Sequence, residues 1–447
     1  MPARRAIALL TDDFAEHKPS VEHDPAAGHT AHAPDDGPLS WQGYDASRAR
    51  AADRTGEEES ILYGTATIGG RRCALLAFEF GFLGGSLGER AGDRLEDAYR
   101  LAREQRVPLV SLVATGGSRM QEGMIALAQL QRVARATVLL REAGVPHIAV
   151  LRDPATGGGW ATVGAGADVI LALPGAQIGF AGSRVRPADA DPSAYTAEGQ
   201  LAAGHVDAVV RPEELRETVT RWLTALTTPA PGPVVPPSAL SDAASLPASG
   251  WDAVLQARDP ARPRAEAYLE RYFTYRLPLV GDRCGGTDPG LLSGVGLRPD
   301  GQAVAYVAQC GTATRPAGYR TAARVIRLAD RLGLPVLTLV DTPGAANDAE
   351  AERTGAGAAI ADAFAAVAGA RVPVTTLLIG EGGSGGALAL AASGNTWAAP
   401  DSYFSVIAPE LAAAILKRPP EEAPHTAEQL RLRPQDLVEL GIVRGIV

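Results

Sequence analysis

Residues 335–346 read PVLTLVDTPGAA and residues 373–407 read PVTTLLIGEGGSGGALALAASGNTWAAPDSYFSVI. The apolar runs Val336 to Val340 and Val374 to Ile379 are short and rich in β-branched residues, so they read as buried strands. Each stops at a small-residue turn. The first is Thr342-Pro343-Gly344-Ala345, and the second is Gly380-Glu381-Gly382-Gly383-Ser384-Gly385-Gly386 ahead of the helix-forming ALALAA. Turns of this kind expose backbone N–H groups beside a helix N-terminus, which suits a site that holds a developing oxyanion.

The same plan occurs earlier in the chain. Pro108 opens PLVSLVATGGSRMQEG and Pro146 opens PHIAVLRDPATGGGWATVGAGADVILALPGAQIGF. A constant offset of 227 residues places Thr115 on Thr342, Gly117 on Gly344, Gly158 on Gly385, Gly159 on Gly386 and Phe180 on Ile407. Two homologous domains in one chain follow, a repeat far longer than the period of a solenoid.

A length of 447 residues with 46% apolar composition accommodates two domains with sizeable cores. No apolar run is long enough to cross a bilayer, and Ala6 to Leu10 is too short for a secretory signal, so a cytoplasmic location is expected. Cys73, Cys284 and Cys310 are scattered, which supports neither a disulfide framework nor a zinc site. The formal charge of −9 argues against general nucleic-acid binding. Lys18 and Lys417 are the only lysines, leaving little choice for a catalytic one.

Residues 1–40 read as a partly disordered tail, since 11–38 carry almost no large apolar side chain. His29 and His32 have the spacing to meet a metal, but no further ligand is in reach, and a solvated tail is the reading taken. Residues 41–226 form the first domain. In it, 61–68 and 72–80 pair across Gly69-Gly70, and the run Gly81 to Gly88, with Gly84 and Gly85 inside it, is either a binding loop or a connector. The polar stretch 183–202 reads as a lid or insertion; Arg184 and Arg186 either grip a phosphate or stand as surface arginines. The proline-rich residues 227–250 are the linker, and 251–447 are the second domain, opening with a helix from Trp251 through Tyr275. Repeated ββα units are expected in both halves.

These residues resemble a known family. AFEFGFLGGSLGER, TGGSRMQEG, VLRDPATGGGWAT and IGFAGSRV are similar to the β-subunit of the carboxyltransferase of bacterial acetyl-CoA carboxylase. GWDAVLQARDPARP, PAGYRTAARVIRLADR, VDTPGA, IGEGGSGGALAL, YFSVIAPE and TAEQLRLR are similar to its α-subunit, here fused into one chain. The resemblance implies an α/β fold of two tandem crotonase/ClpP-like domains. It implies transfer of a carboxyl group from N1 of biotin to the α-carbon of an acyl-CoA of the acetyl or propionyl class.

Carboxybiotin would lose CO₂, the resulting anion would take the α-proton of the thioester, and the thioester enolate would attack CO₂. By resemblance, Gly116 and Gly117 form one oxyanion hole and Gly344 and Ala345 the other. Gly84, Gly85, Arg119, Gly158, Gly159, Phe180, Gly182, Arg184, Gly383, Ser384, Gly385 and Gly386 then line the CoA and biotin sites. The N-terminal domain is expected to hold CoA and the C-terminal domain biotin, with the site completed between protomers of a dimer or larger homo-oligomer. No Met-Lys-Met biotinylation motif occurs, so biotin arrives on a separate carrier protein, with biotin carboxylase as the further partner. No metal, nucleic acid or membrane is expected.

The chain departs from the family at three places. It has no four-cysteine zinc ribbon; it carries Ala346-Asn347-Asp348 where a bulky residue and Pro-Gly are usual; and it shortens the basic insertion to Gly311-Thr312-Ala313-Thr314-Arg315. Three alternatives stay open. Malonate decarboxylase subunits share the fold, so a biotin-independent malonyl-thioester decarboxylase is one. A serine hydrolase is another, since Gly382 to Gly386 fits G-x-S-x-G with Ser384 as nucleophile and Asp401 and His425 downstream. A non-catalytic scaffold is the third.

Overall fold

The structure, a computed structural model, describes residues 1–18, 35–228, 232–240 and 246–447; His29 and His32 lie outside the described residues. The chain divides into two compact units, Met1–Thr227 and Thr228–Val447.

Unit 1 runs α1 (Ala3–Leu10), β1 (Asp13–Glu16), α2 (Tyr44–Thr55), β2 (Ile61–Ile68), β3 (Arg71–Phe78), α3 (Glu89–Gln105), β4 (Leu109–Thr115), α4 (Gly123–Glu142), β5 (His147–Thr156), α5 (Gly157–Gly159), β6 (Val169–Ala172), β7 (Ile178–Gly179), α6 (Ala197–Ala202), β8 (Ala208–Val209) and α7 (Leu215–Thr227). Its sheet has the order β1-β2-β3-β4-β5-β6-β8, with β7 paired to β5. The β2–β3 hairpin turns at Gly69 and Gly70, both left-handed, as a two-residue connection between right-twisted strands requires. From β3 onward the pairs are parallel and β4 is buried along its whole length, so it reads as one apolar run, LVSLVAT.

Within the stretch expected to be a partly disordered tail, residues 3–10 and 13–16 form regular elements. Ala3, Ala6, Ile7 and Leu10 fall on one face of α1 and are buried. Asp13–Glu16 pairs antiparallel with β2 through the register Asp13↔Thr67 to Glu16↔Gly64. A strand this short and polar can stand at a sheet edge, where one side of its ladder faces water.

Unit 2 runs α8 (Gly250–Arg258), α9 (Ala265–Tyr272), β9 (Tyr275–Pro278), β10 (Leu291–Leu297), β11 (Ala303–Gln309), α10 (Pro316–Leu332), β12 (Val336–Thr342), α11 (Ala349–Arg353), α12 (Ala356–Gly369), β13 (Val374–Gly383), α13 (Ser384–Leu388), β14 (Thr396–Ala398), β15 (Tyr403–Ser405), α14 (Pro409–Ile415), α15 (Ala423–Gln429) and α16 (Pro434–Glu439). The sheet order is β14-β13-β12-β11-β10-β9, with β15 paired to β13. The single helix expected from Trp251 through Tyr275 is two helices, α8 and α9, because Pro260 and Pro263 fall between them and proline cannot continue a helix interior.

The repeat holds residue by residue. Helices α3 and α10, strands β4 and β12, and strands β5 and β13 begin and end at the same offset of 227 residues, 89 to 316 and 109 to 336 among them. Register breaks fall between Val113 and Thr115 in one sheet and between Val340 and Thr342 in the other. The isolated bridges Leu87↔Ser118 and Thr314↔Ala345 also correspond. A register break next to a turn re-aims the chain at a strand end, so the turns after β4 and β12 are aimed in the same way.

Candidate active site

In unit 1, β4 ends on Thr115, whose hydroxyl accepts the Gly117 N–H at 3.0 Å. The Gly116 N–H donates to the Gly84 carbonyl at 2.8 Å. Both N–H groups named as the first oxyanion hole are therefore already used inside the protein, and this corrects the assignment of Gly116 and Gly117 as its donors. Gly84 and Gly85 serve the same docking: both are left-handed, and a Cβ on Gly85 would lie 2.2 Å from the Ala114 carbonyl oxygen.

The free donors lie next to this turn. Gly117 abuts the start of α5, where a Cβ on Gly157 would come within 2.7 Å of the Gly117 Cα. The Gly157 N–H donates to the Phe180 carbonyl at 3.1 Å, while Gly158 and Gly159, in the first turn, donate to no acceptor among the described residues. Helix first-turn N–H groups lack an intrahelical partner, so they point outward ready for an anion. Both glycines are held by packing: a Cβ on Gly158 would meet Leu130 at 2.5 Å, and one on Gly159 would meet Thr115 at 2.6 Å.

Unit 2 repeats the arrangement. The Gly344 N–H donates to the Thr342 hydroxyl at 3.1 Å, which removes Gly344 from the second expected hole. Ala345 keeps an N–H with no acceptor among the described residues and lies against Gly386, whose added Cβ would be 2.3 Å from that nitrogen. Gly385 and Gly386 stand in the first turn of α13 with unpaired N–H groups, as Gly158 and Gly159 do. Ser384 has φ 57° and Gly157 has φ 63°, so the left-handed residue at the strand-to-helix corner is common to both units.

The hydroxyls of Thr115 and Thr342 hold their turns, a role that sequence reasoning passed over although both sit on the repeat offset directly before them. Replacing Thr342 by Val should leave the Gly344 N–H without its acceptor and destabilise unit 2 by about 1–3 kcal/mol. Denaturant unfolding of Thr342→Val against Thr342→Ser checks this, with Ser expected to keep most of the wild-type stability.

The remaining expected site residues divide. Phe180 follows β7 with its side chain 74% exposed, beside the α5 corner that its carbonyl caps. Gly182 is half-buried, with Thr156 Oγ1 3.7 Å from where its Cβ would be. Gly383 backs the Pro343-Gly344 turn, its Cβ position only 2.0 Å from the Pro343 carbonyl oxygen. Arg184 is exposed, whereas Arg186 stacks on Tyr195 at 3.8 Å and donates to Gln177 and the Ala181 carbonyl.

Arg119, expected to line the site, is buried among internal partners. It is 1% exposed, and its guanidinium binds both Glu59 oxygens, Glu122 at 3.2 Å and the Ser86 hydroxyl and carbonyl. Burial alone would raise the Glu59 carboxyl, but hydrogen bonding and charge from Arg119 bring it below its ordinary value.

The altered loop is closed locally. The Ala346 N–H donates to the Thr314 carbonyl at 2.9 Å, and Asp348 caps α11 through the Ala351 N–H while pairing with Arg315 at 3.0 Å. A cavity of about 530 Å³ lies among Phe273, Tyr275, Leu291 and Tyr306 in unit 2, and none of the glycine-turn residues lines it. Ser384 has no hydrogen-bond partner among the described residues, and His425 Nε2 faces Gln429 at 3.0 Å instead, so the parts of a hydrolase triad are not assembled. Among the described residues there is no group of three or more potential metal ligands. No described helix is long and apolar enough to cross a membrane.

Two family models match the chain: "Carboxyl transferase domain" over residues 37–210 and "Acetyl co-enzyme A carboxylase carboxyltransferase-like" over residues 244–447. Acetyl-coenzyme A carboxylase carboxyl transferase subunits beta/alpha of Salinispora arenicola is 40% identical, over 89% of this chain and 74% of its own length. The chain belongs to the carboxyltransferases of biotin-dependent acyl-CoA carboxylases. A probable biotin-dependent acyl-coenzyme A carboxylase beta3 subunit of Mycobacterium tuberculosis is 36% identical, over 90% of this chain and 83% of its own length. The transcarboxylase 12S hexamer core, solved with hydrolysed methylmalonyl-coenzyme A, matches at a TM-score of 0.79 and 22% identity, over 100% of this carboxyltransferase and 86% of that chain. A single-chain, multi-domain long-chain acyl-CoA carboxylase matches at 0.74 and 20% identity, over 100% of this chain and 44% of that one. Both units are crotonase-like domains, and the enzyme is a biotin-dependent acyl-CoA carboxyltransferase. The comparisons support neither the decarboxylase nor the hydrolase alternative.

Proposed function

We propose that the chain takes a carboxyl group from carboxybiotin on a separate carrier protein and passes it to the α-carbon of an acetyl- or propionyl-class acyl-CoA. In this reading the N–H pairs Gly158/Gly159 and Gly385/Gly386 hold the two oxyanions that the transfer generates, one on the thioester and one on the biotin ring. The carrying observation is that an unpaired pair of helix first-turn donors occurs in each unit at the same repeat position. Two oxyanions need two sets of preorganised donors, and such donors are worth most where water is excluded. The chain's part is to orient both substrates and stabilise charge. Biotin itself relays the carboxyl group and takes the proton, so no side-chain base is required.

Biotin carboxylase and the biotin carboxyl carrier protein are the partners of this reading. A homo-oligomer completes the site, with the CoA-binding unit of one copy against the biotin-binding unit of another. Large apolar side chains stand exposed in each unit, Met120, Met124 and Phe180 in the first and Val406 and Ile415 in the second, and such surfaces favour association. Free thiols at Cys73, Cys284 and Cys310 accord with a cytoplasmic setting.

The test is the reverse reaction on the purified chain: loss of malonyl-CoA and of methylmalonyl-CoA, with and without free biocytin. Loss that requires biocytin is the expected result, and the faster thioester names the acyl class. Loss without biocytin would overturn the transfer reading in favour of decarboxylation or hydrolysis, which the appearance of acyl-CoA or free CoA separates.

A further inference from the structure

The two donor pairs are held by different means. Around Gly158 and Gly159 the side chains of Leu130 and Thr115 leave no room for a Cβ. Around Gly385 nothing comes within 4 Å of the Cβ position, so steric packing does not confine that residue. Adjacent glycines have soft torsions, and a donor pair built from them needs an external restraint to stay aimed.

Gly386 is packed against the Ala345 nitrogen, and its carbonyl carries a polar restraint as well. The Tyr319 hydroxyl donates to the Gly386 carbonyl at 3.0 Å, and the neighbouring Thr314 Oγ1 accepts from Gln309 Nε2 at 3.0 Å. Gln309 Nε2 also reaches the Gly386 carbonyl at 3.4 Å. Tyr319, Thr314 and Gln309 are all fully buried.

A carbonyl oxygen only accepts, so the Tyr319 hydroxyl and the Gln309 amide nitrogen both donate to Gly386. Orienting Gln309 this way leaves its Oε1 buried without a partner. Hydrogen bonds are strong in a low-dielectric interior, so two buried donors stiffen the carbonyl they share.

Folding alone does not require the chain of polar groups. The equivalent positions of unit 1 carry Phe82, Leu87 and Gly92, and that unit builds the same strand, turn and helix. We infer that Tyr319, assisted by Gln309, is a positioning residue that locks the Gly385–Gly386 donor pair for transfer. This rests on the reading of that pair as an oxyanion hole, and the test separates the two.

Tyr319→Phe removes the donor and keeps the ring. In the biocytin-dependent assay, kcat is expected to fall roughly tenfold with KM for both thioester and biocytin within about twofold of wild type. Gln309→Leu, which removes the longer 3.4 Å bond to the same carbonyl, should give a smaller loss in the same direction. Backbone amide exchange of segment 384–390 is expected to quicken in Tyr319→Phe at an unchanged melting temperature. Wild-type kcat in Tyr319→Phe or unchanged exchange would each overturn the lock. A wild-type chain without biocytin-dependent activity would instead sink the functional reading, and the exchange comparison would still decide the positioning. If Tyr319→Phe unfolds, Gln309→Leu must lower kcat and quicken exchange of segment 384–390; wild-type values there overturn the proposal.

Discussion

Gly386→Ala and Gly159→Ala each lower biocytin-dependent turnover by roughly 10²-fold or more, the loss seen when one oxyanion donor is withdrawn. The cause is space. A Cβ on Gly386 would lie 2.3 Å from the Ala345 nitrogen, 2.7 Å from the Tyr319 hydroxyl and 2.9 Å from the Gly344 carbonyl carbon. Two of these three atoms are backbone, so the helix start must retreat and carry its N–H with it. On Gly159 the Cβ would meet Thr115 Cγ2 at 2.6 Å, and Thr115 is tied by accepting the Gly117 N–H. Gly357→Ala is the control, since nothing lies within 4 Å of its Cβ position in α12, and it should retain wild-type turnover. Wild-type turnover in Gly386→Ala or Gly159→Ala would show that the α5 and α13 corners are not where charge develops.

Arg119→Leu should destabilise unit 1 by about 3–5 kcal/mol, the usual cost of removing one partner from a buried ion cluster. Glu59 is 1% and Glu122 is 5% exposed, and the deletion would leave both carboxylates, with the Tyr44 hydroxyl, facing an apolar side chain. Denaturant unfolding measures the loss. Removing the two acids as well, in Arg119→Leu/Glu59→Gln/Glu122→Gln, should recover a substantial part of it, because the penalty lies in the uncompensated charge. If Arg119→Leu instead kept its stability and changed only KM for the thioester, Arg119 would be a substrate contact after all.

Several features were legible in the chain of letters. The offset between Thr115 and Thr342 and between Gly158 and Gly385 predicts duplicated strand–turn–helix units, and the sheets repeat it down to the register breaks. Pro260 and Pro263 were equally visible, yet the single helix expected across them overlooked their effect. The order of residues 13–16 was hidden for another reason: DFAE has no core pattern, and its strand exists because β2 offers an unpaired edge.

The oxyanion donors expected in the glycine turns divide: the N–H groups of Gly116, Gly117 and Gly344 are spent inside the protein, and that of Ala345 is not. A glycine turn announces that backbone will be exposed, since that is a local property of residue type and spacing. Whether a given N–H is free depends on which acceptor stands opposite. Gly116 is used by Gly84 and Gly157 by Phe180, partners brought by the loop after β3 and by β7. Arg119 shows the same division, since a charged residue after a glycine turn reads as a ligand contact until Glu59 and Glu122 close around it. Duplication, secondary structure and family thus follow from periodicity and motif along one dimension. Which donors face a substrate, and which charges are spent on stability, follow from long-range contacts that only folding creates.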